Sequence, residues 1–523
     1  MKLLRLKLLT DFRGLQKGFE IKFSSHNKTD KIDPICFVGP NGGGKSNVLE
    51  LLCEIFYYFD MIHLDYSDKK NLHPKDFGFE IEYIIGYAYN QPHQIKVVKE
   101  EKEKAKVFRK GINDYITIEE KEVINDILPS RIIGYSSGMN EMISSPFIKM
   151  QYHYFNEYEK KVEDSIFDRI EDSRLIYMDH ASNSAILIAN YLLSDGKQLD
   201  IICKHLGFTD LLSFRIIVRL MDYRNEKVTL TPDLNQQIDF LKKCATCFDD
   251  KSPKQLVLDY FVTDEIRKAF RHYFKSAFQL FRVFQLLGLL NIHLIQPKQR
   301  KQIRDAVRDE NIAIEIPKAS WDQSIFLIRD IRLKKAGVST PIPYKSISDG
   351  EHQFMHVVGT VMMMEEDDVL FLLDEPETHF NPGWRSKLVN TLNRVTMHNE
   401  KDIYGRERRQ QEFIITTHSP FILSDCHTHN VFVFERNKED KVEKRQLDIQ
   451  TYGASSGVLL EEVFNKESTI SDMAYAELQK LMKKEVRSLE DIEKIKNKAR
   501  ELGESAEKFQ LFSRLSKLKK KIT

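Results

Sequence analysis

The stretch Ile35-Cys36-Phe37-Val38-Gly39-Pro40-Asn41-Gly42-Gly43-Gly44-Lys45-Ser46 decides the fold. Its first four residues read as a short apolar strand, and Asn47-Val48-Leu49-Glu50-Leu51-Leu52 beyond it has helical character. Between them lies GxxxxGK[ST], in the strand–loop–helix setting that gives this pattern meaning. Glycines let backbone N–H groups curl around phosphate oxygens without Cβ clashes. Lys45 adds a point charge, Ser46 a hydroxyl for Mg²⁺, and the helix N-terminus its dipole. Gly39, Asn41, Gly42, Gly43, Gly44, Lys45 and Ser46 are therefore the candidate ATP ligands, with ATP and Mg²⁺ as cofactors.

Such a loop needs a second, acidic group to hold the metal and orient water. Val369-Leu370-Phe371-Leu372-Leu373-Asp374-Glu375 offers one. Five consecutive apolar residues suit a strand buried on both faces of a parallel sheet, with Asp374 emerging at its C-terminal end, where ligands of such sheets bind. Asp374 and Ser46 are the candidate metal ligands, and Glu375 is placed to polarise the attacking water. The competing reading is a core strand that happens to end in two acids. More than 300 residues separate Lys45 from Asp374, so the two halves of one head flank a large insertion. Phe413-Ile414-Ile415-Thr416-Thr417-His418 is a further apolar strand, ending in a histidine able to donate a hydrogen bond to a γ-phosphate.

Between these motifs, 26 residues before Asp374, stands Ser348-Asp349-Gly350-Glu351. The order P-loop, Ser-Asp-Gly-Glu, Asp-Glu, His resembles ABC-type ATPase heads, in the branch that includes SMC, Rad50 and RecF proteins. By motif the resemblance covers residues 1–60 and 320–435. It implies that two heads sandwich two ATP molecules, and that Ser348, Asp349, Gly350 and Glu351 act in trans on the partner's γ-phosphate. A helix N-terminus carrying a small hydroxyl residue is a sound anion site. It also implies that Glu375 and His418 are catalytic, and that Thr378-His379-Phe380-Asn381-Pro382 is the D-loop. Asp11-Phe12-Arg13-Gly14 is similar to the branch's Asn-Phe-Arg element, so Arg13 is carried over as an ATP ligand although Asp11 departs from the usual Asn. Gln151 is the candidate metal ligand of the glutamine loop.

The implied fold class is α/β: a P-loop head with a mostly parallel core sheet and an antiparallel β-portion. Residues 1–190 form its N-terminal lobe, 191–318 a mainly helical insertion, 319–450 the C-terminal lobe and 451–523 a helical extension. In the opening MKLLRLKLL, Leu4, Leu6 and Leu8 point one way and Arg5 and Lys7 the other, as in a strand. Segments such as Glu80 to Tyr87 and Ile95 to Val98 read as the antiparallel portion, with a charged hairpin over Lys99 to Lys110. The apolar positions Ile266, Phe270, Tyr273, Ala277, Phe281 and Phe284 predict one amphipathic helix from Thr263 to Leu287. A basic cluster follows at Lys298, Arg300, Lys301, Arg304 and Arg308, diluted by acids, and reads as a solvated helix face. In the tail, Ser488-Leu489-Glu490-Asp491 resembles a capping box, and Phe509, Phe512, Leu515 and Leu518 share one helix side.

Basic and acidic residues number 79 and 78, so no global field recruits nucleic acid. No run approaches a membrane helix, and six cysteines fit a reducing compartment; the expected location is cytoplasmic, with no membrane partner. Cys244 and Cys247 form one CxxC without flanking coiled coil and read as incidental. The tail lacks the acids of a TOPRIM nuclease, so no nuclease activity is expected in this chain. Head, modest insertion and helical tail resemble bacterial defence ATPases: the Septu-type, retron-associated and restriction-system-associated groups. That resemblance implies a homodimer or higher homo-oligomer, a nuclease or other effector as partner, and nucleic acid as a further candidate. It leaves open a DNA-repair or chromosome-maintenance ATPase acting directly on DNA, and an ATP-gated scaffold with little turnover.

Overall fold

The computed structural model describes residues 1–522 apart from 25–30, 65–75, 113, 119–125, 138–140, 165–169, 223, 225, 297, 301, 303–322, 399 and 465–469. Three sheets organise the chain. The central one has seven strands in the order β18-β17-β3-β16-β15-β8-β9. Its parallel members are β3 (Ile35–Val38), β8 (Arg131–Ser136), β9 (Leu175–Tyr177), β15 (Val369–Asp374), β16 (Glu412–Thr416) and β17 (Val431–Arg436). The edge strand β18 (Val442–Arg445) runs antiparallel. Every residue of β3, β15 and β16 is buried, as expected for strands covered on both faces. This is the α/β architecture that the motifs imply.

The second sheet is antiparallel, in the order β2-β1-β4-β5-β6-β7. It comprises β1 (Lys2–Leu8), β2 (Glu20–Lys22), β4 (Phe79–Ile85), β5 (His93–Lys99), β6 (Lys106–Lys110) and β7 (Tyr115–Ile118). Its outer face is laced by charge: Arg5 meets Glu20 at 2.5 Å and Glu80 at 2.6 Å, and Lys96 meets Glu80 at 2.7 Å. One expectation needs correcting here. The register shifts between Leu3 and Arg5, so Leu3, not Leu4, joins Leu6 and Leu8 in the core. A bulge breaks strict alternation without ending the strand.

The segment expected to be mainly helical carries part of a third sheet, ordered β11-β12-β10-β13-β14. Its strands are β10 (Phe208–Arg219), β11 (Cys247–Asp249), β12 (Gln255–Phe261), β13 (Phe326–Lys335) and β14 (Ile342–Pro343). Because β10 pairs with β13 across the proposed 318/319 boundary, insertion and C-terminal lobe share this sheet; the boundary itself falls outside the described residues. The single helix expected over 263–287 is two, Asp264–Tyr273 and Ala277–Leu289. Ser276 is the reason: its side chain accepts from Gln279 N and starts a new helix in mid-pattern. By length and composition Ala277–Leu294 is apolar enough to cross a membrane, contrary to the sequence expectation. Leu280, Phe281, Phe284 and Leu287 are buried there, and the helix packs on Asn183–Leu193 and β13.

In the basic cluster, Arg300 pairs with Glu159, while Lys301, Arg304 and Arg308 lie outside the described residues. Cys244 is buried and Cys247 exposed. At the C-terminus three helices, Asp472–Met482, Leu489–Arg500 and Ala506–Ile522, bury their own core of Leu478, Leu481, Ile492, Ile495, Leu511 and Leu515. Ser488 and Asp491 form the expected capping box. Phe509 departs from the expected stripe and is 76% exposed, because Leu511 and Leu515 take the inner face instead.

Candidate nucleotide site

β3 delivers the P-loop and the helix Lys45–His63 receives it. Gly39 has φ 130°, and a Cβ there would lie 2.1 Å from the carbonyl oxygen of Phe434 on β17, so only glycine fits. Gly44 caps the helix with φ 100° and contributes no side-chain hydrogen bond, which leaves the first helical N–H groups to a ligand. Asn41 and Gly42 are exposed at the crest, whereas Gly43, Gly44 and Lys45 are buried. Lys45 Nζ donates to the carbonyls of Gly39 (2.9 Å) and Pro40 (3.0 Å). Burial pulls its pKa down, and the carboxylates of Glu375 and Asp374 oppose that.

The parallel register sets Asp374 of β15 beside Thr416 of β16. Ser46 Oγ donates to Asp374 at 3.1 Å, and Thr416 Oγ1 donates to it at 2.5 Å. Ser136, at the end of β8, reaches Asp374 Oδ2 at 3.5 Å. The motifs expected to form one site thus meet at the C-terminal edge of one sheet, although they lie more than 300 residues apart in the chain. Glu375 has φ 49°, a left-handed conformation rare for its residue type, and its N–H is held by Thr416 Oγ1 at 3.0 Å. His418 Nε2 approaches Glu375 Oε1 at 3.4 Å. That contact holds the Glu375 carboxyl below its usual range despite partial burial, with Lys45 and Thr378 assisting.

Ser348 caps the helix Asp349–Met363 in a complete capping box. Its Oγ accepts from Glu351 N at 3.3 Å, while Glu351 Oε2 accepts from Ser348 N at 2.9 Å and from Ser348 Oγ at 3.0 Å. Lys335 closes on the other oxygen of Glu351. Among the described residues, none of these bonds runs to the P-loop of the same chain. A Cβ on Gly350 would come within 2.8 Å of His379 O, so glycine lets this helix sit directly on the Thr378–His379 turn. Gln353 reinforces that seat by accepting from His379 N at 2.8 Å.

Arg13 adopts φ 51° and donates through Nε to the buried Glu50 at 3.0 Å, which places it beside the P-loop helix. Gln151 lies half-buried within the helix Glu141–Glu163. From that part of the chain it is Ser136 that the structure brings to Asp374. Sequence reading also passed over Arg436, whose Nε donates to Gly42 O at 2.8 Å, and Glu377, whose carboxylate accepts from Thr417 Oγ1. Register alone brings Ser136 and Arg436 to the site. Glu377 lies between two quoted motifs, those ending at Glu375 and starting at Thr378, and its burial is the signal that was missing.

The chain is similar to several known proteins. Protein ea59 of Escherichia phage lambda is 29% identical over 125 residues, which is 24% of this chain. The chain spans only 22% of that relative's length. Among solved structures, an SMC head bound to the C-winged helix domain of ScpA is similar at 12% identity and a TM-score of 0.34, over 86% of this chain and 98% of that one. The recombination mediator protein RecF with ATP analogue is similar at 12% identity and a TM-score of 0.31, over 84% and 97%. A family model described as AAA ATPase domain matches residues 1–423, so the chain belongs to that family.

Proposed function

We propose that the chain works as an ATP-sandwich dimer, in which nucleotide held by one copy's P-loop is closed over by Ser348 and Gly350 of another. The observation that carries this reading is that Ser348 stands exposed at a helix N-terminus, with no hydrogen bond to its own P-loop among the described residues. In this reading Lys45 and the P-loop N–H groups hold the phosphates, Glu375 orients and deprotonates water, and His418 donates to the γ-phosphate. Two oxygens bound to one octahedral Mg²⁺ at about 2.0–2.1 Å lie about 3 Å apart. The 3.1 Å between Ser46 Oγ and Asp374 Oδ1 fits that spacing. Magnesium there would neutralise charge on the β- and γ-oxygens.

Replacing Glu375 by Gln tests the reading. Turnover should fall about 10²- to 10⁴-fold, and ATP should then trap a dimer visible by light scattering. Turnover at the wild-type rate would sink the assignment. We further propose that closure controls a nuclease or other effector in an antiphage or restriction-type defence. The resemblance of motif order, insertion and helical tail to such ATPases supports this. Purification of the native complex tests it: a nuclease should accompany the chain, whereas salt-sensitive DNA binding by the chain alone would favour a repair role.

A further inference from the structure

Glu377 has no role in the chemistry above, yet its position is exceptional. It follows Glu375 by two residues and is 4% exposed. Its Oε1 accepts a hydrogen bond from Thr417 Oγ1, while its Oε2 is buried without a hydrogen-bond partner among the described residues. Thr417 in turn accepts from Ser419 N at 2.9 Å, which fixes the backbone just past His418. On either side of Thr417, the neighbouring residues grip the same turn: Thr416 holds Asp374 and His418 meets Glu375. Three successive residues at the end of β16 therefore engage three acids at and just beyond the end of β15.

We propose that Glu377 is a positioning residue for ATP hydrolysis: through Thr417 it fixes the strand end that aims His418 at Glu375. This rests on the roles given to Glu375 and His418 above. The groups that face Glu377 electrostatically are Glu375 and Arg385, with Tyr135 near on β8. Burial pushes its carboxyl up to about 7, against the Thr417 bond. Protonated, it adds no second negative charge beside Glu375. Glutamine has the shape and hydrogen-bonding capacity of that protonated acid, and alanine has neither.

The test is steady-state turnover of Mg²⁺-ATP by the full chain, comparing Glu377→Gln, Glu377→Ala, Thr417→Val and Glu375→Gln. Glu377→Gln should keep kcat within about 3-fold of wild type, while Glu377→Ala and Thr417→Val lose about 10- to 100-fold, the scale of a small misplacement of catalytic groups. KM for ATP should not change in the Glu377 and Thr417 variants, since neither residue touches the P-loop. Should Glu377→Ala fail to fold, the near-isosteric Thr417→Val carries the test. Wild-type kcat in Glu377→Ala and Thr417→Val would overturn the proposal. So would a Glu377→Gln enzyme as inactive as Glu375→Gln, which would make Glu377 a reacting group itself. Full activity in Glu375→Gln would instead overturn the underlying reading.

Discussion

Two helices in this chain carry the same dipole at their N-termini and differ in readiness. The P-loop helix starts at Gly44 with no side-chain cap, and Lys45 is folded back onto Gly39 and Pro40. The helix after Ser348 starts inside a capping box that Lys335 reinforces. The first leaves its N–H groups for an incoming phosphate. The second serves them with its own side chains. A capping residue contributes about 0.5–2 kcal/mol, so an anion reaching Ser348 must displace Glu351 at a cost of that order. Nucleotide binding to one chain should therefore be easy, and closure by a second chain a later step with its own barrier.

The comparison can be broken most decisively at Lys45. Lys45→Ala should weaken ATP binding by at least about 100-fold, as expected for loss of a buried charge-assisted contact to phosphate, measured by calorimetry. Next is Ser348→Arg in a Glu375→Gln background. It should bind ATP within a few-fold of its parent yet fail to dimerise with ATP in light scattering; a persisting dimer would reduce Ser348 to a helix cap. Ser348→Ala should cost about 1 kcal/mol of stability without ATP, read by urea unfolding. Smallest is Lys335→Ala, at about 0.5 kcal/mol for a partly exposed pair.

Acid sharpens the same contrast. Although burial works the other way, Lys335 and Ser348 hold the Glu351 carboxyl below its usual value. Its stabilising effect is complete above the unfolded-state pKa of about 4.3 and is lost as pH falls through the lower folded value. Urea titrations at descending pH should show that loss in wild type and not in Glu351→Gln.

What could be read from sequence was what local chemistry fixes. The P-loop, the Asp374–Glu375 pair, the helix start at Ser348 and the capping box at Ser488 each need particular residues within a few positions. What could not be read depends on which strand lies beside which. Ser136 and Arg436 reach the site because β8 borders β15 and β17 borders β3. Nothing near them in the chain announces it. The helix break at Ser276 and the bulge in β1 were hidden for a related reason: hydrophobic period continues through both, and only a cap or a register shift interrupts the backbone.

The pairing of Thr416, Thr417 and His418 with Asp374, Glu377 and Glu375 has a consequence for how this region can change over evolutionary time. All three contacts hang from one parallel register between β15 and β16. Each can be altered alone by a substitution, but one residue gained or lost in β16 would slide every partner at once. The end of this strand should accept changes of letter and refuse changes of length.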